Sequence, residues 1–122
     1  MEDLPLAYGI DLGRAVFIGN SNGGNFLGAV MQLHPQVVRR AVLLRPMNVL
    51  EARPEVDLSA TSILTVSGAR DPYAPQAKEL EERFASAGAA VTVRQIDAGH
   101  ALDAQDAAVV GPWLADTVYT RI

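Results

Sequence analysis

Val16-Phe17-Ile18-Gly19-Asn20-Ser21-Asn22-Gly23-Gly24 is the stretch on which the reading of this chain turns. A short apolar run ends at Gly19, a Ser follows two residues later, and Gly23 follows two after that. Gly-x-Ser-x-Gly between a strand and a helix puts the Ser on a sharp, strained turn with its hydroxyl presented outward. Flanking glycines suit such a turn because neighbouring backbone passes close to it. Glycine makes up about 7% of an average protein, so the pattern draws its meaning from its surroundings.

Ala15 to Gly19 reads as a strand, apolar throughout, with both faces buried as in a parallel sheet. Residues 1–14 carry Pro5, Gly9 and Gly13 as breakers and suggest the tail of a helix and a turn into that strand. Gly23 to Leu33 reads as a helix ended by His34-Pro35. Its apolar residues Phe26, Leu27, Ala29, Val30, Met31 and Leu33 wrap most of the circumference, which predicts burial on several sides. Ala41 to Leu44 is a second short strand, Arg45 to Ala60 an unpatterned loop, and Ser62 to Ser67 a third strand closed by Gly68. Gln76 to Ala87 is amphipathic, with Ala77, Leu80, Phe84 and Ala87 on one face, Pro75 at its start and Gly88 just past its end. Val91 to Ile96 alternates as an edge strand does. A last helix starts at Asp103 as N-cap and carries Ala107, Val110, Trp113 and Leu114, with Gly111-Pro112 predicting a kink or a restart. Alternation of this kind predicts a three-layer α/β sandwich over 1–122 as a single domain, its mostly parallel sheet built of about four strands.

Composition narrows the function. The 122 residues are 49% hydrophobic with net charge −4, which fits a packed domain and argues against a nucleic-acid surface. There is no Cys, so disulfides, thiolate metal sites and a Cys nucleophile are excluded. Met1-Glu2-Asp3-Leu4-Pro5 lacks the basic and apolar regions of a signal peptide. No apolar run approaches the roughly 20 residues of a membrane span. The expectation is a cytoplasmic protein without membrane contact.

A serine hydroxyl becomes a good nucleophile only beside a base, and the base needs a third group to orient it. The chain has two histidines. His34 ends a helix before a Pro, where a surface or C-cap role is natural. His100, in Asp97-Ala98-Gly99-His100, follows the fourth strand. In parallel sheets the ligand crevice lies beyond the carboxyl ends of the strands, and Ser21 lies at such an end. Asp71, in Gly68-Ala69-Arg70-Asp71-Pro72, follows the third strand on the same rim, although an Asp before Pro is also common in plain turns. Asp97 and Asp57 are its rivals as the acid. Arg45, Met47 and Tyr73 lie just beyond strand ends and either line an acyl pocket or serve structural and surface roles. Neither a P-loop nor a metal-ligand spacing is present, so no cofactor and no metal are expected.

From Gly19 to Leu114 the chain resembles the carboxylesterase/phospholipase-like group of α/β-hydrolases, which includes the acyl-protein thioesterase-like esterases. The resemblance is carried by Gly19-Asn20-Ser21-Asn22-Gly23-Gly24-Asn25, by Ala41-Val42-Leu43-Leu44-Arg45-Pro46-Met47, by Gly68-Ala69-Arg70-Asp71-Pro72-Tyr73-Ala74-Pro75 and by Gly99-His100. The chain order Ser21, Asp71, His100 is the order of that fold. The resemblance implies Ser21 as nucleophile, Asp71 as acid, His100 as base and the backbone N–H of Asn22 as one oxyanion donor. It implies a serine ester hydrolase acting on a small-molecule ester or thioester.

The match begins just ahead of the fifth strand of the complete fold. A truncated α/β-hydrolase is expected, lacking the N-terminal strands and the loop after the third strand that supplies a second oxyanion N–H. The Ala15–Gly19 strand would then be an open apolar edge, a pairing hazard. A second copy in a homodimer, or a complementing chain, is expected to cover it. The alternative to an enzyme is a half-domain with idle triad residues that works by association.

Overall fold

The computed structural model describes residues 15–119; the expected helix tail and turn over residues 1–14 lies outside them. The elements are β1 (Phe17–Asn20), α1 (Asn22–Leu33), β2 (Arg40–Leu44), β3 (Ser62–Gly68), α2 (Ala74–Ser86), β4 (Ala90–Ile96) and α3 (Ala104–Leu114), followed by a π-helical turn, Ala115–Tyr119. All four strands are parallel and lie in chain order, β1-β2-β3-β4. Asn20 pairs with Leu44, Leu44 with Val66, and Gly68 with Ile96, so the carboxyl ends of the strands share one rim.

Strand alternation sends side chains to two cores. Ala41, Leu43 and Ile63 meet Met31 of α1 and Leu80 and Phe84 of α2 on one face. Val42, Leu44, Leu64 and Val66 face the other way, where Val109, Val110, Trp113 and Leu114 of α3 and its end pack. Two helical layers around a parallel sheet give the three-layer α/β sandwich that the alternation predicts. Residues 45–61, between β2 and β3, form the predicted loop. It inserts fully buried Leu58 into the first core, and its Glu51 and Ala52 carbonyls accept from Arg83 of α2.

Three expectations need correction. β1 is not buried on both faces: Ile18 is 56% exposed, because β1 stands at the end of the sheet order and, among the described residues, pairs with β2 alone. Nor is α1 buried on several sides, since Phe26 and Leu33 are 68% and 54% exposed. Its buried stripe is Gly24, Asn25, Gly28, Met31 and Gln32. Gly28 explains the choice: a Cβ there would sit 3.2 Å from Leu80, so the glycine lets α1 close on α2 along that stripe. Finally, of the kink or restart expected at Gly111-Pro112, the restart is absent, since α3 continues through Pro112. The widened π-helical turn begins just past it, where the Ala115 N–H reaches the carbonyls of Gly111 and Pro112. The Asp103 N-cap is present as a reciprocal capping box with Asp106.

Candidate active site

Ser21 joins β1 to α1 with φ 54° and ψ −112°, a conformation costing a non-glycine residue about 1–3 kcal/mol. The sequence makes room for it: a Cβ on Gly19 would lie 2.5 Å from the Gly23 carbonyl, and one on Gly24 would lie 3.2 Å from the Gly19 oxygen. The Ser21 N–H donates to the Leu44 carbonyl at 2.8 Å, tying the turn to the end of β2. Serine at this position of a helix ordinarily caps it. Ser21 makes no side-chain cap bond, and its Oγ lies 2.9 Å from His100 Nε2.

His100 sits in the loop after β4. Its Nδ1 is 2.8 Å from Asp71 Oδ2, and Asp71 stands in the loop after β3. The buried Asp71 carboxylate also accepts the Tyr73 N–H at 2.9 Å. Burial works against the charge of Asp71, but the Tyr73 N–H, His100 and the Arg45 guanidinium outweigh it and hold the pKa below the ordinary carboxylate value. An ionised carboxylate only accepts, which assigns the imidazole proton to Nδ1 and leaves Nε2 to accept from the Ser21 hydroxyl. Gly68 lets the two loops meet, because a Cβ there would lie 2.3 Å from the Gly99 oxygen and 2.4 Å from that of Ala98. The Tyr73 ring stands edge-on to His100, centroids 5.4 Å apart at 68°.

Ser21, His100 and Asp71 therefore form one hydrogen-bonded line. The other candidates stand apart from it. Asp97 pairs on the surface with Arg70 at 3.0 Å. Asp57 accepts the Ser59 N–H of its own turn, and the Ser59 side chain, followed by that N–H, lowers its pKa. His34 is exposed at the C-cap of α1. Asn22 opens α1, and the first intrahelical bond runs from the Asn25 N–H to the Ser21 oxygen, so the N–H of Asn22 belongs to the helix end that lacks intrahelical acceptors. Met47 donates its N–H to Asn25 Oδ1 at 2.7 Å, beside the first turn of α1.

Arg45 does not line a pocket. It is 1% exposed, adopts φ 53°, and directs its guanidinium inward. Nη1 and Nη2 meet the two oxygens of Asp106 at 2.8 and 3.0 Å. Nε donates to the Gly99 carbonyl at 2.9 Å, and Nη2 to that of Ala101 at 3.2 Å. Burial opposes the charge of Asp106, yet Arg45 and the Asp103 N–H hold its pKa low. Sequence reasoning passed over Asp106. Its one signal was the place three residues after the Asp103 N-cap.

A groove of about 740 Å³ between α2 and β4 is lined by Glu81, Val91 and Val93 among others, and not by the Ser21 line. No helix among the described residues is long and apolar enough to cross a membrane, and no cluster among them is arranged to hold a metal ion.

The fold and sequence have counterparts among known proteins. The chain is 41% identical to a carboxylesterase from Mesorhizobium loti, over 93% of its own length and 55% of the other's, with a TM-score of 0.89. With the carboxylesterase of Bacillus cereus it shares 25% identity, covering 92% of itself and 54% of that chain, at a TM-score of 0.86. It is 25% identical over 108 residues to the hydrolase-like protein MhqD of Bacillus subtilis, covering 87% of itself and 54% of MhqD. No family model matches the chain. It spans about half the length of these relatives.

Proposed function

We propose that this chain, which has the α/β-hydrolase fold of the carboxylesterases over about half of its extent, is a serine hydrolase of carboxylic esters or thioesters. The observation that carries the reading is the hydrogen-bonded line from Ser21 through His100 to Asp71. In this mechanism His100 Nε2 takes the proton from Ser21 as Oγ attacks the ester carbonyl. Asp71 keeps the imidazole in the required tautomer and stabilises the imidazolium that forms. The oxyanion falls to the N–H of Asn22 at the positive end of α1, whose first turn carries no acidic side chain. The imidazolium returns its proton to the departing alcohol or thiol, leaving an acyl group on Ser21. Water, activated by the same base, then releases the acid.

Fluorophosphonate labelling and p-nitrophenyl acetate hydrolysis test this reading. Wild-type chain is expected to be labelled at Ser21 and Ser21→Ala to lose both signals; hydrolysis undiminished in Ser21→Ala refutes it.

A second reading draws on β1, where exposed Ile18 marks a strand paired on one side only among the described residues. Here the chain associates through that edge with a second copy or with a complementing chain. Light scattering separates the two: a stable dimer or heterocomplex with raised esterase activity supports association, and an active monomer refutes its necessity.

A further inference from the structure

The end of β2 is bonded to the Ser21 turn, to the strand before Asp71 and to the His100 loop. The Leu44 carbonyl accepts the N–H of Ser21, and the Arg45 N–H donates to Val66 at 2.8 Å, in the strand that leads to Asp71. The Arg45 side chain reaches the third part. Its two loop acceptors, the carbonyls of Gly99 and Ala101, belong to the residues on either side of His100. Asp106, at the start of α3, holds the guanidinium from behind with both oxygens and fixes the end of the same loop by accepting the Asp103 N–H at 2.8 Å.

A buried ion pair is costly to desolvate, and well-packed apolar side chains often replace one without loss of stability. What an apolar side chain cannot supply is a rigid fork of donors aimed at two carbonyls. Arg45 even keeps a left-handed backbone conformation while doing so. We infer that Arg45, braced by Asp106, is a positioning residue that grips the backbone on both sides of His100 and so sets the imidazole on the line between Asp71 and Ser21. The inference rests on the proposed role of those three residues. A displacement of about 1 Å from productive geometry costs on the order of 100-fold in rate, which sets the scale of the expected effect.

The test replaces the pair by apolar residues, Arg45→Met with Asp106→Leu, so that no buried carboxylate is orphaned. A second variant, Arg45→Lys, keeps the charge for Asp106 but has a single ammonium that cannot serve both carbonyls at once. Circular dichroism and thermal unfolding report the fold. Two further readouts report the imidazole: nitrogen NMR of the His100 ring, which distinguishes its tautomers, and the rate of fluorophosphonate labelling at Ser21. Wild-type chain is expected to show one tautomer with the proton on Nδ1. The folded double variant is expected to show mixed tautomers and labelling about 100-fold slower, and Arg45→Lys to be slowed at least roughly 10-fold. Wild-type tautomer and labelling within twofold of wild type in either folded variant overturn the inference while leaving the triad reading intact. Wild-type chain with neither labelling nor a defined tautomer overturns both.

Discussion

Gly68→Ala isolates the contact between the loops that carry Asp71 and His100. The added methyl would lie 2.3 Å from the Gly99 oxygen and 2.4 Å from the Ala98 oxygen, both backbone atoms. Ordinary contact begins near 3.4 Å, so the His100 loop must retreat by about 1 Å. That retreat takes the 2.8 Å bond between His100 and Asp71 beyond hydrogen-bonding range. The backbone at Gly68 is not in the left-handed region, so alanine adds bulk without torsional strain. Overpacking costs about 1–3 kcal/mol, offset by about 0.4–1 kcal/mol from the stiffer unfolded chain. The expected net loss is about 1–2 kcal/mol, or roughly 4–8 °C in Tm for a chain of this length. The loss in reactivity is far larger, about 100-fold in fluorophosphonate labelling of Ser21. Gly111→Ala is the control, since a Cβ there meets nothing within 4 Å. Pro112 restrains the residue before it, so alanine there brings no ordinary helix gain, and labelling is expected to stay unchanged. A folded Gly68→Ala protein that labels at the wild-type rate would refute the reasoning.

The other predictions concern stability. Asp71 and Asp106 both have pKa values lowered in the fold, despite burial, by hydrogen bonds and by Arg45 or His100. Their contribution is fully present above the unfolded carboxylate value of about 3.9 and is lost as pH falls below it through the folded values. Thermal midpoints are therefore expected to drop steeply below about pH 4 and less steeply in Asp106→Asn, whose curve should start lower. Glu81 behaves oppositely. Burial, aided by Glu82, raises its pKa against the Thr65 hydroxyl and Lys78, so the fold loses stability as pH rises from the unfolded value of about 4.3 through the folded value. Glu81→Gln, able to accept the same Thr65 hydroxyl, should raise the urea midpoint at pH 7, with the gain disappearing below about pH 4. A gain independent of pH would rule out this cause. Phe84 is fully buried between α2 and the sheet, and Phe84→Ala should cost about 3–5 kcal/mol in urea unfolding; less than about 1 kcal/mol would show a core that closes over the gap.

The fold was largely legible in the sequence because strand, helix and turn signals are local. Gly19, Pro75, Gly88 and Asp103 each mark a boundary through their own backbone or capping chemistry, and the structure moves those boundaries by a residue or two. The rim on which Ser21, Asp71 and His100 meet followed from parallel alternation and from their places at strand ends. What escaped the sequence depends on partners distant in the chain. Phe26 and Leu33 look like core residues until Gly28 is seen to choose the face that α1 turns to Leu80 and Phe84. Arg45 looks like a loop cation because nothing near it in sequence reveals a carboxylate 61 residues away. Ile18 is the opposite case: its strand reads as buried from its apolar run, and only the resemblance exposed it as an open edge, which the sheet order matches.

The order of the strands also has a consequence in time. Each strand pairs with its neighbour in the chain, so the sheet grows by successive local crossovers. The Ser21–His100 bond nonetheless spans 79 positions and the His100–Asp71 bond spans 29. On the ribosome Ser21 emerges long before His100, because synthesis runs from the N-terminus. Until β4 docks, the serine is an ordinary alcohol on an unfinished sheet. In the proposed mechanism the reactivity of Ser21 thus arrives with β4, and a chain that has not completed this sheet carries no exposed, activated nucleophile.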